Sequence, residues 1–79
     1  MRRNTGYEIG EQVVCSTYGE EYYLKETPSG ITNYELSFRK DEIGMVLACI
    51  RATDQVWKLE ILTSRGVRGW IPSVYVEGV

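Results

Sequence analysis

Side chains able to do chemistry are few in this chain, and their types point to recognition before catalysis. Histidine is absent from the 79 residues, which removes the commonest general base and metal ligand together. Asp41 and Glu42 are adjacent carboxylates in the charged run Arg39-Lys40-Asp41-Glu42, and no apolar sequence surrounds them that would raise a pKa. The glycines follow no phosphate-loop spacing, and Gly66-Val67-Arg68-Gly69 reads as a hairpin turn. Cys15 and Cys49 are too few and too far apart for a disulfide framework or a four-ligand zinc site. Set among apolar or β-forming residues, they read as buried free thiols, with a single bridge in an oxidising compartment as the alternative. No catalytic residue, metal or cofactor is expected.

The recognition chemistry is concentrated near the C-terminus, in Gly69-Trp70-Ile71-Pro72-Ser73-Val74-Tyr75-Val76. Proline cannot donate to a central ladder, so the strand begun near Trp70 has to stop or turn at Ile71-Pro72. An indole, a pyrrolidine and a phenol are thereby gathered within six residues, the kind of surface a small β-barrel presents to an extended, proline-rich peptide.

The elements that would position this surface are strands. Gln12-Val13-Val14-Cys15-Ser16-Thr17-Tyr18 is rich in β-formers and gives the first. Residues 20–33 form the longest irregular segment, centred on the turn signal Thr27-Pro28-Ser29-Gly30. Its arm Tyr22-Tyr23-Leu24 is expected to pair with Ile31 to Tyr34 across that turn. Glu35-Leu36-Ser37-Phe38 alternates with Leu36 and Phe38 inward, and residues 43–50 make the most apolar run, where Gly44 marks a bend or bulge. After a polar connection at residues 51–55, Val56-Trp57-Lys58-Leu59-Glu60-Ile61 alternates again, with Trp57, Leu59 and Ile61 on one face. Five short strands and no convincing helix predict an all-β fold, a small five-stranded barrel of two packed antiparallel sheets.

Length and charge narrow the partner. A chain of this size buries only about 60% of its unfolded surface, which leaves no second lobe for a catalytic cleft. The net charge of −2, with both signs interspersed, disfavours nucleic acid and anionic membranes and suits a basic ligand. No apolar run approaches the ~20 residues of a membrane span, and no signal-peptide core follows Met1, so the chain reads as soluble and cytoplasmic. Residues 1–10 read as a flank and 11–79 as one domain, monomeric in isolation, and the abrupt start suits a piece of a larger protein.

In this order the motifs resemble those of SH3 domains over residues 11–79. Glu35-Leu36-Ser37-Phe38-Arg39-Lys40-Asp41-Glu42 is similar to the family's second-strand motif, with Asp41 where glycine is usual. Gly69-Trp70-Ile71-Pro72-Ser73-Val74-Tyr75-Val76 is similar to its closing motif, with Val74 in place of asparagine. The resemblance implies a non-catalytic adaptor domain of a larger signalling, scaffold or cytoskeletal protein, taking proline-rich or Arg/Lys-containing peptides. It gives the peptide-binding residues as Tyr18, Trp57, Trp70, Pro72 and Tyr75, with Glu20 and Glu21 as carboxylates for a ligand Arg or Lys.

The chain departs from the pattern in four places. One of two groove tyrosines becomes Ser16, or in a shifted register Tyr18 is the first of them, and either way one ring is lost. Val74 lacks the usual side-chain amide, and the segment before Glu35 is long and carries Tyr22, Tyr23 and Tyr34. A single Trp57 also stands for a tryptophan pair. If Trp57 is the first of that pair it lines the groove, and Glu60 falls at a buried position. If it is the second, Val56 lines the groove and Glu60 is solvated. The other reading of the whole is a structural domain that docks within its own protein or dimerises through its aromatics.

Overall fold

The computed structural model describes residues 7–53 and 56–79. Asp54 and Gln55 of the expected polar connection, and residues 1–6 of the expected flank, lie outside the described residues. The chain runs β1 (Gln12–Cys15), β2 (Glu21–Lys25), β3 (Thr32–Arg39), β4 (Ile43–Arg51), β5 (Trp57–Thr63) and β6 (Arg68–Pro72). A single 3₁₀ turn (Ser73–Tyr75) then leads into β7 (Val76–Gly78). All pairings are antiparallel, in one continuous curled sheet ordered β3-β2-β6-β5-β4-β1-β7.

The all-β class follows from the alternation. Leu59, Ile61 and Thr63 of β5 point inward with Gly69 and Ile71 of β6, and Val13, Cys15, Leu24, Phe38, Val46 and Val76 complete the core. Lys58 and Glu60 face outward, as the period of two requires.

The sheet carries seven strands and not the five expected, and it is one ladder and not two packed sheets. Two local causes account for this. The segment before Glu35 is itself a hairpin: β2 pairs with β3 along its length, Tyr22 opposite Phe38 and Tyr23 opposite Ser37, with Lys25 opposite Thr32 after an irregularity. The Tyr22-Tyr23-Leu24 arm therefore lies further along β3 than the expected Ile31 to Tyr34, covering the fully buried Phe38. Meanwhile β4 runs unbroken past a bulge between Val46 and Ala48, which bends the sheet without dividing it. The first strand is also shorter than expected. After Cys15 the chain leaves the ladder, and the Ser16 N–H donates to the Tyr75 carbonyl at 2.8 Å.

Gly44 is small for packing and not for bending, since the bulge falls beyond it. A Cβ built there would lie 2.4 Å from Ile61 Cγ2 and 3.1 Å from Phe38 Cζ. Asp41, which stands where the resembled motif has glycine, keeps a glycine-like backbone, with φ of 68°. That turn delivers Glu42 to Arg65 of the β5–β6 hairpin. The guanidinium donates from Nε to Oε2 at 3.0 Å and from Nη2 to Oε1 at 3.1 Å. The same carboxylate accepts the Arg39 N–H at 2.9 Å and the Ser64 hydroxyl at 3.1 Å, and Arg65 Nη2 also donates to the Ser37 carbonyl at 2.6 Å. One ion pair thus ties β3, the turn before β4 and the β5–β6 hairpin together. It also occupies backbone groups along β3, an edge strand open to unwanted pairing.

Gly44→Ala is expected to destabilise the protein by about 1–3 kcal/mol through overpacking. Asp41→Val should cost about 1–2 kcal/mol by forcing a β-branched residue into the left-handed region, while Asp41→Gly stays within about 1 kcal/mol of the parent. Denaturant midpoints with unchanged m-values test both. Glu42 gives a pH test. Burial alone would push its carboxyl up, but the bonds from Arg65, the Arg39 N–H and Ser64 hold it below the ordinary carboxylate value. A depressed folded pKa contributes stability that is present above the unfolded value and lost as pH falls through the folded one. The protein should therefore lose stability on acidification below about pH 4.5, and Arg65→Met should both lower stability at neutral pH and flatten that acid dependence.

Candidate functional site

Strand alternation sends Arg68, Trp70 and Pro72 of β6 outward while Gly69 and Ile71 enter the core. Trp70 stands cross-strand from Glu60 of β5 on one side and Lys25 of β2 on the other, and Pro72 stands opposite Lys58. At Pro72 the backbone is still extended, with φ −65° and ψ 143°, and the 3₁₀ turn begins at the next residue, as proline at the strand's end requires. Ser73 Oγ accepts the Trp57 N–H at 2.9 Å, which fixes the start of β5 beside that turn.

Three aromatics, Tyr75 of the turn with Tyr22 and Trp57, pack partly buried against the core cluster. Tyr75 is half-buried, and its ring meets that of Tyr22 with centroids 4.8 Å apart and planes at 34°. Burial, and secondarily Tyr75, push the Tyr22 phenol above its ordinary pKa. Trp57 packs half-buried against the core cluster, with the Arg51 guanidinium 5.7 Å from its ring centroid.

Of the expected site residues, Trp70 and Pro72 share one cleft, while Tyr75 and Trp57 adjoin the 3₁₀ turn that follows Pro72. Tyr18 stands apart, 97% exposed in the turn after β1, and the ring that meets Tyr75 belongs to Tyr22. Glu20 is exposed, and its carbonyl accepts the Lys40 N–H at 2.9 Å. Glu21 is engaged within the chain: its carboxylate accepts the Ser37 and Tyr23 hydroxyls, which lower its pKa, Ser37 the more. The two alignments of Trp57 differ in whether Leu59 or Glu60 is buried. Leu59 is fully buried and Glu60 faces outward, the arrangement expected of the alignment in which Val56 takes the groove position. On that outward face the Glu60 carboxylate accepts Arg68 Nε at 2.8 Å.

Two features lay outside the expected site residues. The first is Tyr22, read from the sequence as packing for the long loop or a ligand contact, whose meeting with Tyr75 was signalled only by its sharing a face with the buried Leu24 two residues on. The second is the outer cleft formed by Lys25, Pro28, Lys58, Trp70, Ile71 and Pro72, in which Lys58 Nζ donates to the Pro28 carbonyl at 2.8 Å. No local signal announces that Lys58 reaches a turn thirty residues earlier.

The cysteines are both free. Cys15 is buried and donates to the Phe38 carbonyl at 3.5 Å, and burial pushes its thiol pKa up; Cys49 is half-buried. Among the described residues no group of three or more His, Cys, Asp or Glu is placed to hold a metal, and no helix is long and apolar enough to cross a membrane. Compared with protein-family models, curated proteins and solved structures, the chain gives no match.

A double-mutant cycle on Tyr22→Leu and Tyr75→Leu should return a coupling of about 0.5–1.5 kcal/mol, as for other aromatic pairs. Additive losses would mean that the rings are not in contact in solution.

Proposed function

We propose that this chain is a non-catalytic peptide-recognition module of the SH3 type, serving a larger cytoplasmic signalling, scaffold or cytoskeletal protein. Its ligand is an extended proline-rich segment carrying Arg or Lys, which crosses the surface formed by Trp70, Pro72, Tyr75, Tyr22 and Trp57. The observation that carries this reading is the strand, 3₁₀ turn and strand running from Arg68 to Gly78. Pro72 precedes the turn and Tyr75 ends it, with the Tyr22 ring against Tyr75 and the Trp57 backbone tied to Ser73.

Strand order supports the same reading. Without the β2–β3 hairpin the ladder is β6-β5-β4-β1-β7, five antiparallel strands with the closing motif joining its two ends. A polyproline II ligand loses little entropy on docking and offers ridges that fit between rings, so a shallow aromatic surface is enough to bind it. The exposed Glu20 and the net charge of −2 favour a basic flank in the ligand, whereas Glu21 is already held by Ser37 and Tyr23. Val74, 61% exposed, supplies no amide, so the ligand's carbonyls must be met elsewhere. A specificity different from that of standard members follows.

A structural role in docking or dimerisation has one observation of its own. Ile43 and Met45, each 38% exposed, line an open outer groove with Leu62, away from the aromatic surface.

Amide shift mapping with a panel of proline-rich peptides separates the two readings. Binding should perturb Trp70, Ser73, Tyr75 and Tyr22, and Tyr75→Ala should weaken it about tenfold or more, the scale of a lost aromatic anchor. Perturbations confined to Ile43, Met45 and Leu62, or a concentration-dependent dimer on size exclusion, would replace peptide recognition with docking.

A further inference from the structure

Building on the peptide-recognition reading, we infer that the tip of the β2–β3 hairpin is a built-in cover for the outer half of the ligand surface. In this arrangement Pro28 occupies the place on Trp70 and Pro72 that a ligand proline would take.

Pro28 is half-buried, unlike its exposed neighbours Thr27 and Ser29, and it lines the same cleft as Trp70 and Pro72. Its carbonyl is held by Lys58, the residue cross-strand from Pro72, and the cleft's other lysine, Lys25, is the residue cross-strand from Trp70. Pro28 thus lines one cleft with an indole-bearing residue and a second proline, with a lysine donating to its carbonyl. An apolar ring against an aromatic surface is the contact a proline-containing ligand seeks, and the lysine's bond to the Pro28 carbonyl latches the tip in place.

The tip is shaped for the task and lightly attached. Thr27 accepts the Gly30 N–H at 3.2 Å across a tight turn with proline in its second position, the site where its fixed φ is favoured. Gly30 is packed so closely under Thr27 that a Cβ there would fall 2.2 Å from its hydroxyl oxygen, so the turn in this shape takes no side chain at that position. Between the tip and the sheet, β2 meets β6 through the single pair Lys25 and Trp70, and the β2–β3 ladder is irregular between Tyr23 and Lys25. Leu24, fully buried, anchors the hairpin just before this point. Residues 26–31 can therefore lift from Trp70 while Leu24 stays in the core and Tyr22 stays on Tyr75.

A cover of this kind lowers apparent affinity by the fraction of time it is open, since the ligand binds only the uncovered state. Where the tip is closed about 80–90% of the time, removing it tightens binding about five- to tenfold.

The test is an amide shift titration of a synthetic proline-rich peptide with an arginine flank into the parent chain, Pro28→Gly and Lys58→Met. Pro28→Gly removes the stand-in ring without changing charge; Lys58→Met removes the latch. Leu24 and Phe38 resonances at their parent positions certify that each variant keeps its core. The cover predicts that both variants bind about five- to tenfold more tightly, and that residues 26–31 of the parent move toward random-coil shifts as the peptide saturates Trp70. Unchanged or weaker binding by Pro28→Gly, with Trp70 and Tyr75 still perturbed, overturns the cover and leaves the peptide-recognition reading standing. Tightening in Lys58→Met alone reports charge and also overturns it. If no protein shifts Trp70 or Tyr75, the recognition reading falls and the cover with it.

Discussion

The close approach of Leu24 to Gly69 is the constraint on which the distinctive parts of this structure depend. A Cβ at Gly69 would lie 2.6 Å from Leu24 Cβ and 3.1 Å from the Lys25 carbonyl oxygen, so the hairpin can lie against β6 only because that position has no side chain. Three consequences follow from one missing methyl group. Leu24 becomes fully buried, β2 joins the sheet through Lys25 and Trp70, and the arm that carries Tyr22 is held where its ring reaches Tyr75. Extending beyond Lys25, the same hairpin lays Pro28 in the outer cleft.

A domain this small has little core to spare, and its polar contacts are arranged to hold segments that the core cannot reach. Glu42 and Arg65 draw the end of β3 to the β5–β6 hairpin, and Thr63 Oγ1 accepts the Arg65 and Val67 N–H groups at 3.3 and 3.1 Å to close that turn. Among the described residues no buried side-chain nitrogen or oxygen is left without a partner. The stiff end of the molecule, around Glu42, is thus separate from the aromatic end. A lightly attached tip at the aromatic end does not put the fold at risk.

How far the sequence disclosed this depends on the range of each interaction. Alternation in residues 35–38 and 56–61 placed Phe38, Leu59 and Ile61 in the core, because facing in or out is a property of the strand alone. Pro72 ended its strand as local sterics demand. Asp41 was legible in part: the motif position asked for glycine, and the backbone there has the positive φ that glycine would adopt freely. The paired strands in residues 20–33 were readable only as a hairpin with an uncertain register, since register is set by what Phe38 and Leu24 must bury against. Gly69 read as turn punctuation, whereas its role is the approach of a chain segment over forty residues earlier. Neither the exposure of Tyr18 nor the reach of Lys58 to Pro28 has any local signature, because both are set by long-range packing.

In the proposed reading the hairpin is both wall and cover. Its proximal part brings Tyr22 to Tyr75, in the place the resemblance would give to a tyrosine of β1, and its distal part would compete for that surface. The most direct measurement of that claim is a proton NOE spectrum of the free protein, read at three places: Leu24 methyl to Gly69 Hα, Tyr22 ring to Tyr75 ring, and Pro28 Hδ or Hγ to the Trp70 indole. The account predicts strong cross-peaks at the first two and a weaker one, reduced by opening, at the third. Absence of the Leu24 to Gly69 cross-peak in a folded sample would contradict the account at its base, because that approach seats the hairpin carrying both Tyr22 and Pro28 against β6.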